Sequence, residues 1–363
     1  MKETAFLTTD QILLVKAALW PVDEALHYWQ QWKAYQCIDE PLLLRENDLL
    51  PKVFDPLDYE TQAFMSQVYH NLQHTGDALV SRFRGYYRHT WLKSELTWLS
   101  FQRVVKAFAE QGIESVCLQG SAARLACAGH SYGRRLQDAA FSVPVRWHAA
   151  VPSIMQNLGF QSGASHTHSS ASRSFTDSRN TTIVFQPKLL PSLSAAKTEH
   201  PFRNQVKQLH LAEGVNACIL TPTYQIFCDL VWAYYRQCGP DLRRIADCVL
   251  LARYQPVDWE KVMQLADDLG YSYAVMSGLG HLVKHFDIQL TEAEAVRLKK
   301  SRIAKSQQRY HALLQEYGTS PLNSKQVLKK AILEYTAYSK NDRCVSGMRL
   351  LKHIVSAGIK RLC

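Results

Sequence analysis

The chain has 363 residues, 47% of them apolar and 10% aromatic, with no long polar tract; this excludes an intrinsically disordered protein and leaves room for two or three structural units. Forty-two Lys and Arg against 32 Asp and Glu give a formal net charge of +10, which suits either an anionic partner or plain solubility. No segment reaches the roughly 18–20 continuous apolar residues of a bilayer-spanning helix, and the start MKETAFLTTDQ lacks a basic stretch leading into an apolar run; no membrane association and a cytoplasmic location are expected.

Residues 1–111 read as a helical N-terminal region. Thr8 or Thr9 is a candidate N-cap, followed by Ile12, Leu13, Val15 and Leu19 at helical spacing. A second helix is predicted over 25–37 and a long one over 79–110. In the long helix Trp91, Leu92, Leu96, Leu99, Val104, Val105 and Phe108 are expected to share one face before Gly112 supplies a left-handed stop. The texture then changes: IESVCL (113–118) reads as a strand, breaking at Gly120 and Ser121 into the small-residue helix SAARLACAG. Further strands are predicted over 139–143, 173–176 and 181–185, with a helix over 147–158 stopped at Gly159 and a polar turn at HTHSSAS (166–172). From Pro222 the helical period returns, with helices predicted over 224–237, 241–252, 258–269, 271–286, 292–317, 324–339 and 344–359; Thr221, Asp258 and Thr291 serve as caps. The fold class is α+β: a small mixed-sheet core (112–215) between a helical N-terminal region and a helical C-terminal domain (216–363).

Several polar and reactive groups have a structural as well as a functional reading. The nine cysteines show no paired short spacing and read as reduced, mostly buried thiols. His166 and His168, in a Ser-rich stretch without nearby Cys or carboxylates, read better as solvated than as metal ligands. Tyr224, Trp232, Tyr234 and Tyr235 are expected to pack their helix against its neighbours. Arg243, Arg244 and Asp247 suit either a nucleotide cleft or a structural ion pair. Lys299, Lys300, Arg302, Lys305 and Arg309, with Lys352, Lys360 and Arg361 further on, form a basic helical face suited to RNA or a partner protein.

The chemistry concentrates in residues 112–143. A strand that ends in Gly120 and Ser121 at a helix start offers backbone amides and a hydroxyl to an anion, assisted by the helix dipole, which makes a phosphate cradle. Asp138 opens the next strand, and residues two apart on a strand share a face, so position 140 decides whether a metal-holding pair exists.

This stretch resembles an uncharacterised nucleotidyltransferase family of the polymerase-beta-like superfamily, one often found in bacterial polysaccharide and peptide-modification gene neighbourhoods. In that family a strand ending in Leu-Lys-Gly leads to a small-residue helix, then to an Arg four residues before an Asp-x-Asp pair and an apolar run. The matching positions are Leu118, Gln119 and Gly120, then Arg134, Asp138 and Ala140, then 141–143. Downstream, LGF (158–160), PTYQIFCDLVWAYYR (222–236), DLRRIADCVLLAR (241–253) and VDWEKVMQLADDLGY (257–271) extend the likeness, which spans roughly 110–290.

The resemblance implies transfer of a nucleoside monophosphate from a nucleoside triphosphate, with magnesium, to a hydroxyl acceptor. Asp138 would hold the metal, Gly120 and Ser121 the phosphates, and Arg134 or Arg135 the transition-state charge. Such chemistry normally takes two carboxylates from one strand and a third from its neighbour. Here Ala140 stands at the second position, Val184 and Gln186 stand where an Asp and a His are expected, and Gln119 replaces the Lys. Asp177 is either a substitute acid or a turn residue in FTDSRN, and Asp138 either a ligand or a strand-start partner of Arg134 or Arg135. The implied protein binds a nucleoside triphosphate with weak or no transfer; the alternative is a non-catalytic scaffold, or an RNA- or protein-binding partner in a bacterial biosynthetic pathway.

Overall fold

The computed structural model describes residues 7–38, 59–127, 136, 138–163, 172–191, 202, 204–212, 215–235, 241–301 and 305–317, with isolated positions between 326 and 333. Among the described residues five helices come first: α1 (Thr9–Leu19), α2 (Val22–Tyr35), α3 (Tyr59–Leu72), α4 (Ala78–Arg82) and α5 (Arg84–Glu110). The central part holds β1 (Val116–Leu118), α6 (Gln119–Ala126), β2 (Asp138–Ser142), α7 (Val151–Asn157), β3 (Gln161–Ser162), β4 (Arg173–Thr176), β5 (Thr182–Phe185), β6 (Val206–Ala212) and β7 (Val215–Leu220). The helices α8 (Pro222–Tyr235), α9 (Leu242–Tyr254), α10 (Trp259–Leu269), α11 (Ser272–Phe286), α12 (Glu292–Lys300) and α13 (Lys305–Tyr317) follow. The expected α+β class is the one observed.

The strands form a mixed seven-stranded sheet in the order β3-β4-β5-β2-β1-β7-β6. At its centre β1 runs antiparallel to β2 and parallel to β7, while β2 runs parallel to β5. Both faces are covered, which explains why these strands are apolar almost without alternation. On one face Cys117, Ala139, Phe141, Ile183, Phe185 and Ile219 join Val104, Val105 and Phe108 of α5 in one core; Phe141 packs between Phe108 and Phe185 with ring centroids 5.2 and 5.6 Å away. On the other face Leu118, Ala140, Val184 and Leu220 join a larger core shared by the N-terminal and C-terminal helices. The two helical regions are thus one packed body: Arg253 of α9 lies 4.3 Å over the Trp20 ring and donates to the Leu19 carbonyl at 3.3 Å.

Local sequence signals place many of the boundaries. Thr8 caps α1, its backbone N–H donating to the Gln11 side chain at 3.2 Å; Asp258 accepts from the Lys261 amide at 2.8 Å to start α10; Thr291 and Glu294 form a reciprocal capping box on α12. Gly112 and Gly159 take the left-handed conformation at the expected stops, with φ of 68° and 83°. In the N-terminal region Trp29 and Trp32 stack at 4.8 Å, and Asp77 caps α4 through the Val80 amide while holding Lys33 at 2.7 Å in a buried ion pair.

Three expectations need correction. The predicted apolar face of the long helix does not exist as one face: Val104, Val105 and Phe108 are buried, but Trp91, Leu92 and Leu99 are about half exposed or more, at 50%, 53% and 50%. The interior face over that stretch carries Thr90, Ser94 and Thr97 instead, because residues 92 and 99 lie on the opposite side of a 3.6-residue helix from 104, 105 and 108, with residue 91 about a quarter-turn from that buried face. The single helix predicted over 292–317 is two, α12 ending at Lys300; no side chain of α12 is fully buried, while α13 buries Gln307, Tyr310, His311 and Leu313. The strands β6 and β7 were not predicted. The helices predicted over 324–339 and 344–359 fall almost wholly outside the described residues.

Candidate functional site at the β1–α6–β2 junction

The chain passes from β1 into α6 through Gln119, whose φ of 56° is left-handed for a residue with a Cβ. That conformation turns the chain sharply from strand to helix at Gly120, as the sequence pattern required. The Ser121 side chain is buried, its hydroxyl 2.6 Å from the Leu118 carbonyl oxygen and 3.0 Å from that of Ala140. It pins the helix start to two adjacent strands, so the hydroxyl is spent within the fold.

Strand register sets out the rest of the site. Ala140 pairs with Leu118 on one side and Val184 on the other. Ala140 and Val184 are 0% and 4% exposed, in the same apolar core as Leu118, Leu190 and Leu220. Asp138 stands two positions earlier on β2, opposite Thr182. Above this face Gln119 and Gln186 meet: the Gln119 amide nitrogen donates to Gln186 Oε1 at 2.7 Å, and Gln186 donates to the Lys188 carbonyl at 3.0 Å. The following segment is tied to the helical region by Trp232 Nε1 donating to the Leu189 carbonyl at 2.7 Å and by Tyr271 Oη donating to the Pro191 carbonyl. Leu190, fully buried between those two ties, fills space over the sheet. Arg134, Arg135, His166 and His168 lie outside the described residues.

The profile of a family described as uncharacterised nucleotidyltransferase matches residues 61–287, well over half the chain. The chain belongs to this family. The match begins inside α3 and ends just after α11, so it takes in α5, the whole sheet and most of the C-terminal helices of this nucleotidyltransferase-family protein. The crystal structure of an antigenic nucleotidyltransferase-like protein from Paracoccidioides brasiliensis is similar over 60% of this chain and 95% of its own, at 13% identity and a TM-score of 0.32. A comparison with curated proteins finds no match.

Asp177 sits in the tight turn between β4 and β5. One carboxylate oxygen accepts from the amides of Arg179 and Thr181, both at 3.0 Å, and the other from the Ser100 hydroxyl at 2.8 Å. Burial pushes this carboxyl up, but donation from Thr181, Ser100 and the Arg179 amide outweighs it and holds the group below its ordinary value. The acid is committed to closing the hairpin and tying it to α5, the turn reading of the two that the sequence left open.

Between α8 and α9 the charged residues of the DLRRIAD stretch form a buried network. Arg244 donates to Asp229 at 3.1 Å and lies 3.7 Å from Asp241, while Gln225 donates to the other Asp229 oxygen at 2.7 Å. Arg243 lies 3.5 Å from Asp241, and Asp247 is fully buried. Tyr224 and Tyr234 are buried, as their packing role predicts. The Gln119–Gln186 contact and the bidentate Glu95–Arg124 pair, 2.9 Å on both oxygens, were not foreseen. Each joins residues far apart in sequence, and no local pattern announces such a pair.

Proposed function

We propose that this protein is a degenerate nucleotidyltransferase that has kept the family's fold and helix-start cradle but transfers nucleotides weakly or not at all. The observation that carries this reading is the pairing of Ala140 with Val184 in the buried apolar core, at the two positions where the family resemblance calls for metal-binding carboxylates. A methyl and an isopropyl group have no lone pair for magnesium, which takes oxygen ligands in near-octahedral geometry. The amides of Gln119 and Gln186 are neutral and hydrogen-bonded to each other. Asp138 is left as a single carboxylate, too little for a two-metal centre, so no step through magnesium is derived.

In this reading the site offers a nucleoside triphosphate the backbone amides at Gly120 and Ser121 and the charge of Arg134 and Arg135. Such a site suits binding of a triphosphate as an anion, without the in-line activation that metals supply. The second reading, a non-catalytic scaffold for RNA or a partner protein, draws support from the exposed lysines and arginines at the α12–α13 junction, Lys299, Lys300 and Lys305.

Titration calorimetry with the four ribonucleoside triphosphates, with and without magnesium, on the wild type and on Asp138→Ala, tests the proposal. Weak binding that magnesium and Asp138→Ala leave nearly unchanged is expected. Tight binding that requires magnesium and disappears in Asp138→Ala refutes it, and no binding at all leaves only the scaffold reading.

A further inference from the structure

Helix α5 is arranged opposite to what internal packing alone asks of an amphipathic helix. Over its first half it turns Thr90, Ser94 and Thr97 inward, all buried. Two of these hydroxyls are hydrogen-bonded: Ser94 donates to the Thr90 carbonyl at 2.8 Å and accepts from the Leu136 amide at 3.0 Å, and Thr97 donates to the Lys93 carbonyl at 2.9 Å. Outward it turns Trp91, Leu92 and Leu99, with half-buried Leu96 between them. Leu92, Leu96 and Leu99 stand at i, i+4 and i+7 and form one seam along the helix. No other described element exposes more than two large apolar side chains, so this is a patch and not the ordinary scatter of surface hydrophobes.

The seam has a charge pattern. Exposed Arg84 and Arg88 precede it by one to two turns, and exposed Arg103 and Lys106 follow it. Its acid, Glu95, is held through both oxygens by Arg124, and Glu110 lies beyond it, 4.0 Å from Lys106. Both ends of the apolar seam are therefore basic.

We infer that this face of α5 is a docking seam for an amphipathic helix of a partner protein, with leucine-type residues on one side and acidic residues at its flanks. Three aliphatic side chains at helical spacing read a second helix's apolar face, and the basic ends steer and orient an acidic one. Charge disfavours the other occupants. Residues 318–363 of this chain carry nine Lys and Arg against two Asp and Glu; a second copy would bring the same basic flanks. A nucleic acid would answer the charge but leave the leucines unused, since they have no π face on which a base can stack.

The test is fluorescence anisotropy of a labelled synthetic helical peptide with a leucine seam and glutamate flanks, titrated with the full chain. The comparator is the same peptide with lysine flanks. Saturable binding of the glutamate peptide is expected, about tenfold or more tighter than the lysine peptide, and about tenfold or more weaker for Leu92→Ser/Leu99→Ser and for Arg88→Glu. Thermal unfolding of these variants should match the wild type, because the altered side chains face water. Failure of the glutamate peptide to bind, equal binding of both peptides, or indifference to the leucine substitutions overturns the inference. So does a dimer in light scattering that Leu92→Ser dissolves, which assigns the face to a second copy. Tight binding of a short single-stranded RNA that Trp91→Ala abolishes overturns it too, in favour of nucleic acid.

Discussion

At the α8–α9 junction, Asp229 is 1% exposed yet fully engaged, one oxygen taken by Arg244 and the other by Gln225, with Asp241 closing the network from the start of α9. On the β1–β2–β5 face, at similar depth, Leu118, Ala140 and Val184 close against Leu190 and Leu220 as an apolar core. The first region keeps buried charge where it fixes two helices against each other. The second, which the family resemblance assigns to metal and phosphate, is built for packing. Buried charge is costly unless paired, so its location marks what the interior has been organised around; here that is the helical junction.

The largest expected effect comes from breaking the charged region. Asp229→Ala leaves the Arg244 guanidinium without its closest carboxylate and should cost about 3–5 kcal/mol in urea denaturation. A loss below about 1 kcal/mol, the level of an exposed pair, would mean the network is incidental and erase the contrast.

Ala140→Asp probes the other side. A carboxyl placed in this apolar register position should cost about 2–3 kcal/mol, stay protonated near neutral pH, and gain nothing from added magnesium. Stability restored by magnesium would reveal metal-site geometry persisting beneath the apolar side chains.

A smaller effect sharpens the boundary between the regions. Gln119→Ala removes the donor to Gln186 and should cost about 1–2 kcal/mol. Gln119→Gly loses the same hydrogen bond but suits the left-handed φ of 56°, so it should be milder than Ala by up to about 1 kcal/mol in the same denaturation assay. Equal losses would show that the backbone at this turn relaxes freely.

A pH-dependent effect concerns His311 of α13, stacked on Tyr273 of α11 with ring centroids 4.4 Å apart. Burial pushes its pKa down to about 3, with a hydrogen bond to the Tyr234 backbone acting the other way. The unfolded chain takes up a proton near the ordinary value of 6.5 that the folded protein refuses, so stability declines as pH falls from there toward 3. In His311→Gln that part of the acid limb should flatten, as followed by thermal unfolding across the range. An unchanged slope would place the acid sensitivity elsewhere.

Much of the architecture was legible because it rests on local physics. Asp258, Thr291 and Gly112 set helix ends through caps and left-handed stops, and the β-branched run at 113–118 followed by Gly120 marked the strand-to-helix turn. The alternating 206–212 and the apolar 217–220 carried a strand signal that the surrounding helical periodicity obscured, although Glu213 and Gly214 between them suit a hairpin turn. The apolar residues of α5 do not share one face, because the 3.6-residue period sends Leu92 and Leu99 to the side opposite Val104 and Phe108. At the site, the identities of Ala140, Val184 and Gln186 were visible, but the Gln119–Gln186 contact spans 67 residues and depends on strand register. The turn role of Asp177 became decidable only once Ser100, from a helix far upstream, was seen to donate to it.

Under the proposed function the β2–β5 face no longer supports metal-dependent transfer. Its most direct test is a single-turnover assay with each α-labelled ribonucleoside triphosphate, magnesium and excess protein, comparing wild type with Asp138→Ala and following both pyrophosphate release and label on the protein or an added acceptor. The account predicts that wild type and variant are indistinguishable. Magnesium-dependent pyrophosphate release and label transfer by the wild type, lost in Asp138→Ala, would contradict it.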